Sequence, residues 1–588
     1  MSISAANGIY GLFALGGGPL NPGDRDLFGA MLRHRWQDGQ EQTALTHVED
    51  RAGGSTLEVQ DDEDGISLFW GWLGDQPRPA DTGQANPSIA LVSSTFERSR
   101  DETPRLLPGE WTFMHWDSGR RRLRIIASAN LRDPLYYCRG DNRIAVSPSL
   151  KLLARSGWVS GSFNTESLLL SVSRARLRRG FRHQSILDDV WQLEPGSCVE
   201  LDASSHHFTD LPPPGAAPIW TGSFEDAVEE VRSLLRRIMR EHLQLSRRSA
   251  VMLSGGLDST ILAWLLAEQG GGDAGHLALC SAAAPDSGLK DETGFANRVA
   301  EQLGLPLHKV VPDASASPYH PSAACFAALE RPPGLSQRHY LYEALYRSAA
   351  DGGADIVLDG VYGEATLTAK LILPWHVQPV RGTRRFLRSI LRPADGPHPT
   401  DWFHVQLADS LRTSLPDRFR DIQNQPLPRN MAMSGQRPVG YAPVSSKIGP
   451  VMFCSSLPQL RHATPFRDWR LIDLVAGMPA HFLVNRERNR VLGRAVLSGF
   501  ISDDIRLRQS GMPFSPDYEA RLVAHAGQAR ARIDAFQQHG AGDWLDLQWL
   551  GQSLKRLSDG ETMSPTEKLK AQLTAMTAEF FVWWDDAE

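Results

Sequence analysis

The chain has 588 residues, of which 41% are hydrophobic and 22% charged, with a formal net charge of -6. That length is too great for one hydrophobic core and predicts two or more domains, and the weak negative balance gives no electrostatic footprint for a nucleic-acid binder. No apolar run approaches the roughly 18 residues of a membrane span, and no basic start leads into an apolar signal core, so a cytoplasmic protein without nucleic-acid or membrane partners is expected. The five cysteines, Cys138, Cys198, Cys280, Cys325 and Cys454, have no paired or metal-ligating spacing. Each is expected as a small buried residue in a reducing compartment.

In chain order, Gly8-Ile9-Tyr10-Gly11-Leu12-Phe13-Ala14 alternates as a strand, and Gly16-Gly17-Gly18-Pro19 ends it. Further strands are expected at residues 66–73 and 89–92. Residues 107–117 and 123–128, separated by the polar Asp117-Ser118-Gly119-Arg120, read as a β-hairpin. Then come Asp133-Pro134-Leu135-Tyr136-Tyr137, Ile144-Ala145-Val146-Ser147, a helix near Leu150, and Leu193-Glu194-Pro195-Gly196.

Taken together, residues 8–200 resemble the second half of a class II glutamine-amidotransferase domain. That resemblance implies an Ntn-type αββα sandwich, two antiparallel sheets between helices. The family's glutaminase activity needs a cysteine directly after the initiator methionine, because its thiolate attacks the amide. Here that residue is Ser2, and no cysteine precedes Cys138. Residues 1–210 are therefore expected to be a degenerate glutaminase-like domain, kept as a scaffold or turned to substrate binding. His115, inside the hairpin, reads as structural.

Leu211-Pro212-Pro213-Pro214-Gly215-Ala216-Ala217-Pro218 cannot continue a strand or helix, and residues 211–218 are read as a linker. A second domain is expected over 219–588. Ser223-Phe224-Glu225-Asp226 opens it with a capping signal, and Val228, Val231, Leu234, Leu235 and Met239 give the following helix an apolar face.

Ala250-Val251-Met252-Leu253 reads as a buried parallel strand. It runs into Ser254-Gly255-Gly256-Leu257-Asp258-Ser259, and from Asp258 the apolar residues Ile261, Leu262, Leu265 and Leu266 take helical spacing. Two glycines let the backbone approach an anion, and the N–H groups of a helix start with the hydroxyls of Ser254 and Ser259 suit phosphate oxygens. A carboxylate at Asp258 fits such a loop if magnesium bridges it to the phosphates. Strands at Leu277-Ala278-Leu279-Cys280-Ser281, His308-Lys309-Val310-Val311 and Ile356-Val357-Leu358 alternate with a helix led by Asp291-Glu292. That alternation predicts a doubly wound parallel sheet with its ligand at the strands' C-terminal ends.

The hexapeptide resembles the pyrophosphatase-type ATP loop of the asparagine-synthetase family, whose enzymes transfer AMP from ATP to a carboxylate before an amine displaces it. Asp359-Gly360-Val361-Tyr362-Gly363-Glu364 resembles the family's second signature, with Glu364 in place of its acid. The resemblance implies an ATP site lined by Leu253, Ser254, Gly255, Gly256, Asp258, Ser259, Ser281, Asp359 and Gly360, with magnesium on Asp258 and Glu364. Residues 464–473 and Arg490-Val491-Leu492-Gly493-Arg494 match later family stretches, with Arg467 replacing a leucine. In the last stretch, Ile505-Arg506-Leu507-Arg508-Gln509-Ser510, the family's lysine is replaced by Ser510. The charge it would stabilise on adenylation falls to nearby cations: Arg508, Arg490 and Arg494 are the candidates. Tyr362 is read either as a group that orients the nucleophile or as a packed tyrosine.

Within the family, Arg508-Gln509-Ser510-Gly511 followed by Pro516-Asp517-Tyr518 looks like the ending of lasso-peptide cyclases. Those enzymes adenylate an Asp or Glu side chain of a precursor peptide and close a macrolactam with its N-terminal amine. A leader peptidase and a leader-recognition protein would be partners. Arg381, Arg384, Arg385, Arg388 and Arg392 recur near helical spacing, as a solvated face or a wall of the peptide cleft. A small-molecule amide, β-lactam or asparagine-type synthetase, and an inactive binding or scaffold protein on the same fold, remain open.

Overall fold

The structure, a computed structural model, describes residues 8–15, 20, 23–24, 36–37, 43–48, 56–63, 65–74, 86–131, 134–140, 142–173, 183–210, 219–270, 275–285, 287–333, 337–368, 403–413, 457, 460–485, 488–508, 511 and 514–586. Ser2, the linker 211–218, the arginines between 381 and 392, Cys454, Gln509 and Ser510 lie outside the described residues.

Among the described residues the N-terminal region forms two six-stranded sheets. One has the order β10-β8-β9-β1-β3-β2 and the other β12-β11-β7-β6-β5-β4. Here β1 is Gly8–Ala14, β2 Trp36–Gln37, β3 Thr43–Val48, β4 Thr56–Asp62, β5 Gly65–Leu73, β6 Gly109–Asp117 and β7 Arg122–Ala127. β8 is Leu135–Gly140, β9 Arg143–Ser147, β10 Val190–Leu193, β11 Ser197–Leu201 and β12 His206–Asp210. Neighbouring strands are antiparallel throughout, and the predicted hairpin is β6–β7, with Met114 opposite Ile125.

Strand alternation divides each sheet's residues between two cores. Ile9, Phe13, Ile66, Leu68, Met114, Trp116 and Ile125 fill the space between the sheets. On the outer face of the second sheet, Phe69, Trp111, Phe113 and Ile126 pack against Ile89, Val92 and Phe96. Those last three lie on a helix, Pro87–Ser99, where a strand was expected at 89–92. Pro87 in its first turn and the 89, 92, 96 spacing set the helix; an apolar window of four residues is too short to tell the two periods apart. Outside the first sheet, Tyr10, Leu12, Tyr136 and Ala145 share a core with Leu152, Leu168 and the C-terminal helices Tyr518–Arg530, Leu547–Ser558 and Pro565–Asp585. The layers thus run helix, sheet, sheet, helices, and the last of them is drawn largely from the far end of the chain.

The third sheet has five strands among the described residues, in the order β15-β14-β13-β16-β17. These are β13 Ser249–Met252, β14 Leu277–Ser281, β15 Leu307–Val310, β16 Ile356–Leu358 and β17 Arg461–Ala463. Every pairing is parallel. Val251, Ala278, Cys280 and Leu358 face the helices Phe224–Leu243, Leu257–Gln269 and Thr293–Leu303. Ala250, Met252, Leu279 and Val357 face the helix His339–Asp351. The fold is α/β, with helices on both faces of a parallel sheet beside an antiparallel double sheet. Chain order leaves β13 in opposite directions toward β14 and β16, which puts the topological switch point at the C-terminal ends of β13 and β16.

Candidate active site

The segment after β13 turns on a glycine. Leu253 N–H donates to Leu279 O at 2.8 Å, extending the ladder by one residue. Gly255 then adopts φ +71°, and a Cβ there would stand 2.6 Å from Phe295 Cβ, so conformation and space both require glycine. The serines brace this turn from within. Ser254 Oγ accepts from Gly256 N–H at 3.3 Å, and Ser259 Oγ accepts from Ser254 N–H at 3.2 Å and donates to Gly256 O at 3.1 Å. Gly256 precedes the 13-residue helix Leu257–Gln269, whose start has no side-chain cap. Such a start suits an anion.

Asp258, in the first turn, lies against the loop after β16. Its Oδ1 accepts a hydrogen bond from the Thr368 hydroxyl. A Cβ at Gly363 would stand 2.1 Å from that same oxygen, and one at Gly360 would stand 3.1 Å from Asp258 Cβ. The glycines of the second signature therefore make room for the carboxylate of the first. Glu364 follows Gly363 directly, and its carboxylate, 53% exposed, accepts from Arg490 at 2.6 Å. Arg490 has φ +63° and precedes the helix Val491–Val496. Two acids on neighbouring strand ends suit a magnesium ion whose other ligands are phosphate oxygens and water. Among the described residues no group of three or more metal-ligating side chains forms a cage by itself.

Asp359 is buried, and its carboxylate shapes the second loop. Oδ1 accepts from Val361 N–H at 3.1 Å, and Oδ2 pairs with His462 Nε2 of β17 at 3.2 Å. Its N–H donates to Ala463 O at 2.9 Å. Ser281 ends β14, buried one strand away. Tyr362 has φ +77° and packs in the core with Leu358, Phe466 and Leu492. Burial raises its pKa, against the pull of Arg467 and Arg331. The structure thus shows the packed tyrosine.

The three candidate arginines separate into different roles. Arg508 reaches the glycine turn: Nη1 donates to Gly255 O at 3.4 Å, Nη2 pairs with Glu292 Oε1 at 2.5 Å, and the guanidinium lies 3.7 Å from the Phe295 ring centroid. Arg490 serves Glu364. Arg494 donates to the carbonyls of Arg506, Arg508 and Asn489 and so fixes the backbone that carries Arg508; burial, then Arg490 and Arg488, lowers its pKa. The Asp517-Tyr518 ending is engaged in packing: Asp517 pairs with Arg521 at 2.5 Å, and Arg338 lies over the Tyr518 ring at 4.8 Å.

Sequence reasoning missed Thr368, Glu292, Phe295 and His462 as neighbours of the site. Glu292 was visible as the lead of a helix, with nothing in the pattern to aim it at Arg508, and Phe295 carried no signal of its contact with Gly255.

This geometry places a glycine turn at the switch point of an α/β domain with an acid on either side, an arrangement that suits a nucleotide's phosphates. Residues 230–366 match the asparagine synthase family, and this stretch is asparagine-synthase-like. The chain is also similar to "Amidase chry2" of Gibberella zeae, 26% identical over 228 residues that cover 36% of this chain and 32% of the relative. The match thus spans about a third of that curated relative. Among solved structures, it is similar to a glutamine phosphoribosylpyrophosphate amidotransferase from B. subtilis complexed with ADP and GMP, at 10% identity and a TM-score of 0.22, covering 60% of this chain and 76% of that one. A structure described as the allosteric regulatory enzyme of purine biosynthesis matches at 11% identity and a TM-score of 0.21, covering 65% and 72%.

Proposed function

We propose that the chain is an ATP-dependent amide-bond-forming ligase that adenylates a carboxylate. The observation that carries this is the convergence of Asp258, the Gly360–Gly363 loop and Arg508 on the glycine turn. The helix start at Leu257 and the turn at Gly255 receive the phosphates. Asp258 and Glu364 would hold the magnesium, which when bound neutralises phosphate charge. Arg508 stabilises charge on the departing pyrophosphate, the task left open by Ser510.

The finer reading is a lasso-peptide cyclase. It joins the Asp or Glu side chain of a precursor peptide to that peptide's N-terminal amine, with a leader peptidase and a leader-recognition protein as partners. Its support is in the sequence: Arg508-Gln509-Ser510-Gly511 followed by Pro516-Asp517-Tyr518 resembles the ending of those cyclases. The test is the intact mass of a candidate core peptide incubated with the protein, ATP, magnesium and the leader-removing partner. Loss of one water is expected. An unchanged peptide, with a small amino acid consumed instead, would replace the cyclase with a small-molecule amide synthetase.

A further inference from the structure

Arg508 is held in place by side chains outside both signature loops. Glu292 is 7% exposed and sits just before the helix Thr293–Leu303. Its backbone is fixed by the residue before it. The Asp291 carboxylate accepts from Ala283 N–H at 2.9 Å, and from the N–H and hydroxyl of Thr293 at 2.9 and 2.5 Å. Burial opposes charge on Asp291, but these hydrogen bonds outweigh it and hold its pKa below the ordinary value. One helix start thus ties down the segment after β14, packs the Cβ and backbone of Phe295 against Gly255, and presents Glu292 to Arg508.

We propose that Glu292 is a positioning residue for nucleotide binding: it holds the Arg508 guanidinium beside Gly255, where the ATP-site reading puts the phosphates. A guanidinium has five donors in a rigid plane. One edge is committed to Glu292 at 2.5 Å, one face lies on Phe295, and another donor already reaches Gly255 O. An arginine on a mobile stem would lose rotamer entropy on meeting phosphate; one already fixed at three points loses less. The anchor rests on the ATP-site reading above and adds to it a residue that touches no nucleotide itself.

The test is calorimetric titration of the full chain with magnesium α,β-methylene-ATP, which binds as ATP does and resists cleavage between the α- and β-phosphates. Glu292→Ala is expected to weaken binding about tenfold, the scale of one charge-assisted hydrogen bond. Glu292→Gln, which keeps an acceptor for the guanidinium, is expected to stay within about threefold of the wild type. Combined with Arg508→Ala, Glu292→Ala should bind no more weakly than Arg508→Ala does by itself. Should the alanine variant fail to fold, Glu292→Asp retracts the carboxylate by one methylene and should give the same pattern at about threefold. A full additional loss in the double variant, or unchanged or tighter binding by Glu292→Ala, would overturn the anchor while leaving the ATP site standing. A wild-type chain that binds no nucleotide would overturn the ATP site and the anchor with it.

Discussion

At Asp258 the two signature loops compete for the same space. The carboxylate occupies the space that a side chain at Gly363 would need, since a Cβ there would overlap Oδ1 at 2.1 Å. Gly363→Ala must therefore push the Asp258 carboxylate away or shift the loop that carries Glu364. We expect that variant to lose at least about tenfold in AMP formation, the scale of one misplaced charged group at a reacting centre. Its thermal midpoint should stay within a few degrees of the wild type, because the clash lies at the C-terminal end of the sheet and falls on the tip of a side chain that can move. Wild-type turnover by Gly363→Ala would remove Asp258 from the site. Thr368, which donates to the same oxygen, holds the carboxylate from the other side.

At the scale of elements, the helix Phe224–Leu243 shows how far local signals reach. Its capping box is formed as read: Ser223 Oγ accepts from Asp226 N–H at 3.0 Å, and Asp226 accepts from Ser223 N–H at 3.0 Å. Val228, Val231, Leu234, Leu235 and Met239 are all buried. Ser223→Ala should cost about 1 kcal/mol of stability, measured as a shift in the urea midpoint, with catalysis unaffected below the transition. Parallel strands β13, β14 and β16 were equally legible because, covered on both faces, they read as unbroken apolar runs. β17 gave no such signal. Its Arg461-His462-Ala463 is buried through partners remote in sequence, Arg461 with Glu110 at 3.2 Å and His462 with Asp359 at 3.2 Å. The same distance in sequence hid Thr368 and Glu292. Each makes its contact across a sheet end, and no periodicity encodes that. The signature loops, by contrast, were legible because glycine, serine and acid are needed there for backbone reasons that act within six residues.

At the scale of the whole molecule, the sandwich and the parallel sheet are joined by charged groups. Arg105 forms a bidentate pair with Asp473 at 2.7 and 2.5 Å, and Asn130 donates to Asp468 at 3.2 Å. On the parallel-sheet side Arg470 bridges Asp468 and Glu241 and so fixes the carboxylate that Asn130 meets. On another side Glu330, buried, accepts from the Ser149 hydroxyl at 2.6 Å and from the N–H groups of Leu150 and Lys151. Burial pushes its pKa up to about 7 from an ordinary 4.5, against those hydrogen bonds. A carboxyl raised in the folded state contributes stability that is fully present below about 4.5 and is lost as pH rises through about 7. The full amount is on the order of 3 kcal/mol. Glu330→Gln should flatten the stability profile between pH 4.5 and 7 and gain on the wild type above it; parallel profiles would show that Glu330 is not the titrating group.

The most direct test of the adenylation chemistry is the nucleotide released when the full chain turns over magnesium ATP with a candidate core peptide, resolved by chromatography for the wild type and Asp258→Ala. AMP with pyrophosphate from the wild type, and neither from the variant at an unchanged thermal midpoint, is the predicted result. ADP from the wild type, or AMP undiminished in the Asp258 variant, would contradict it.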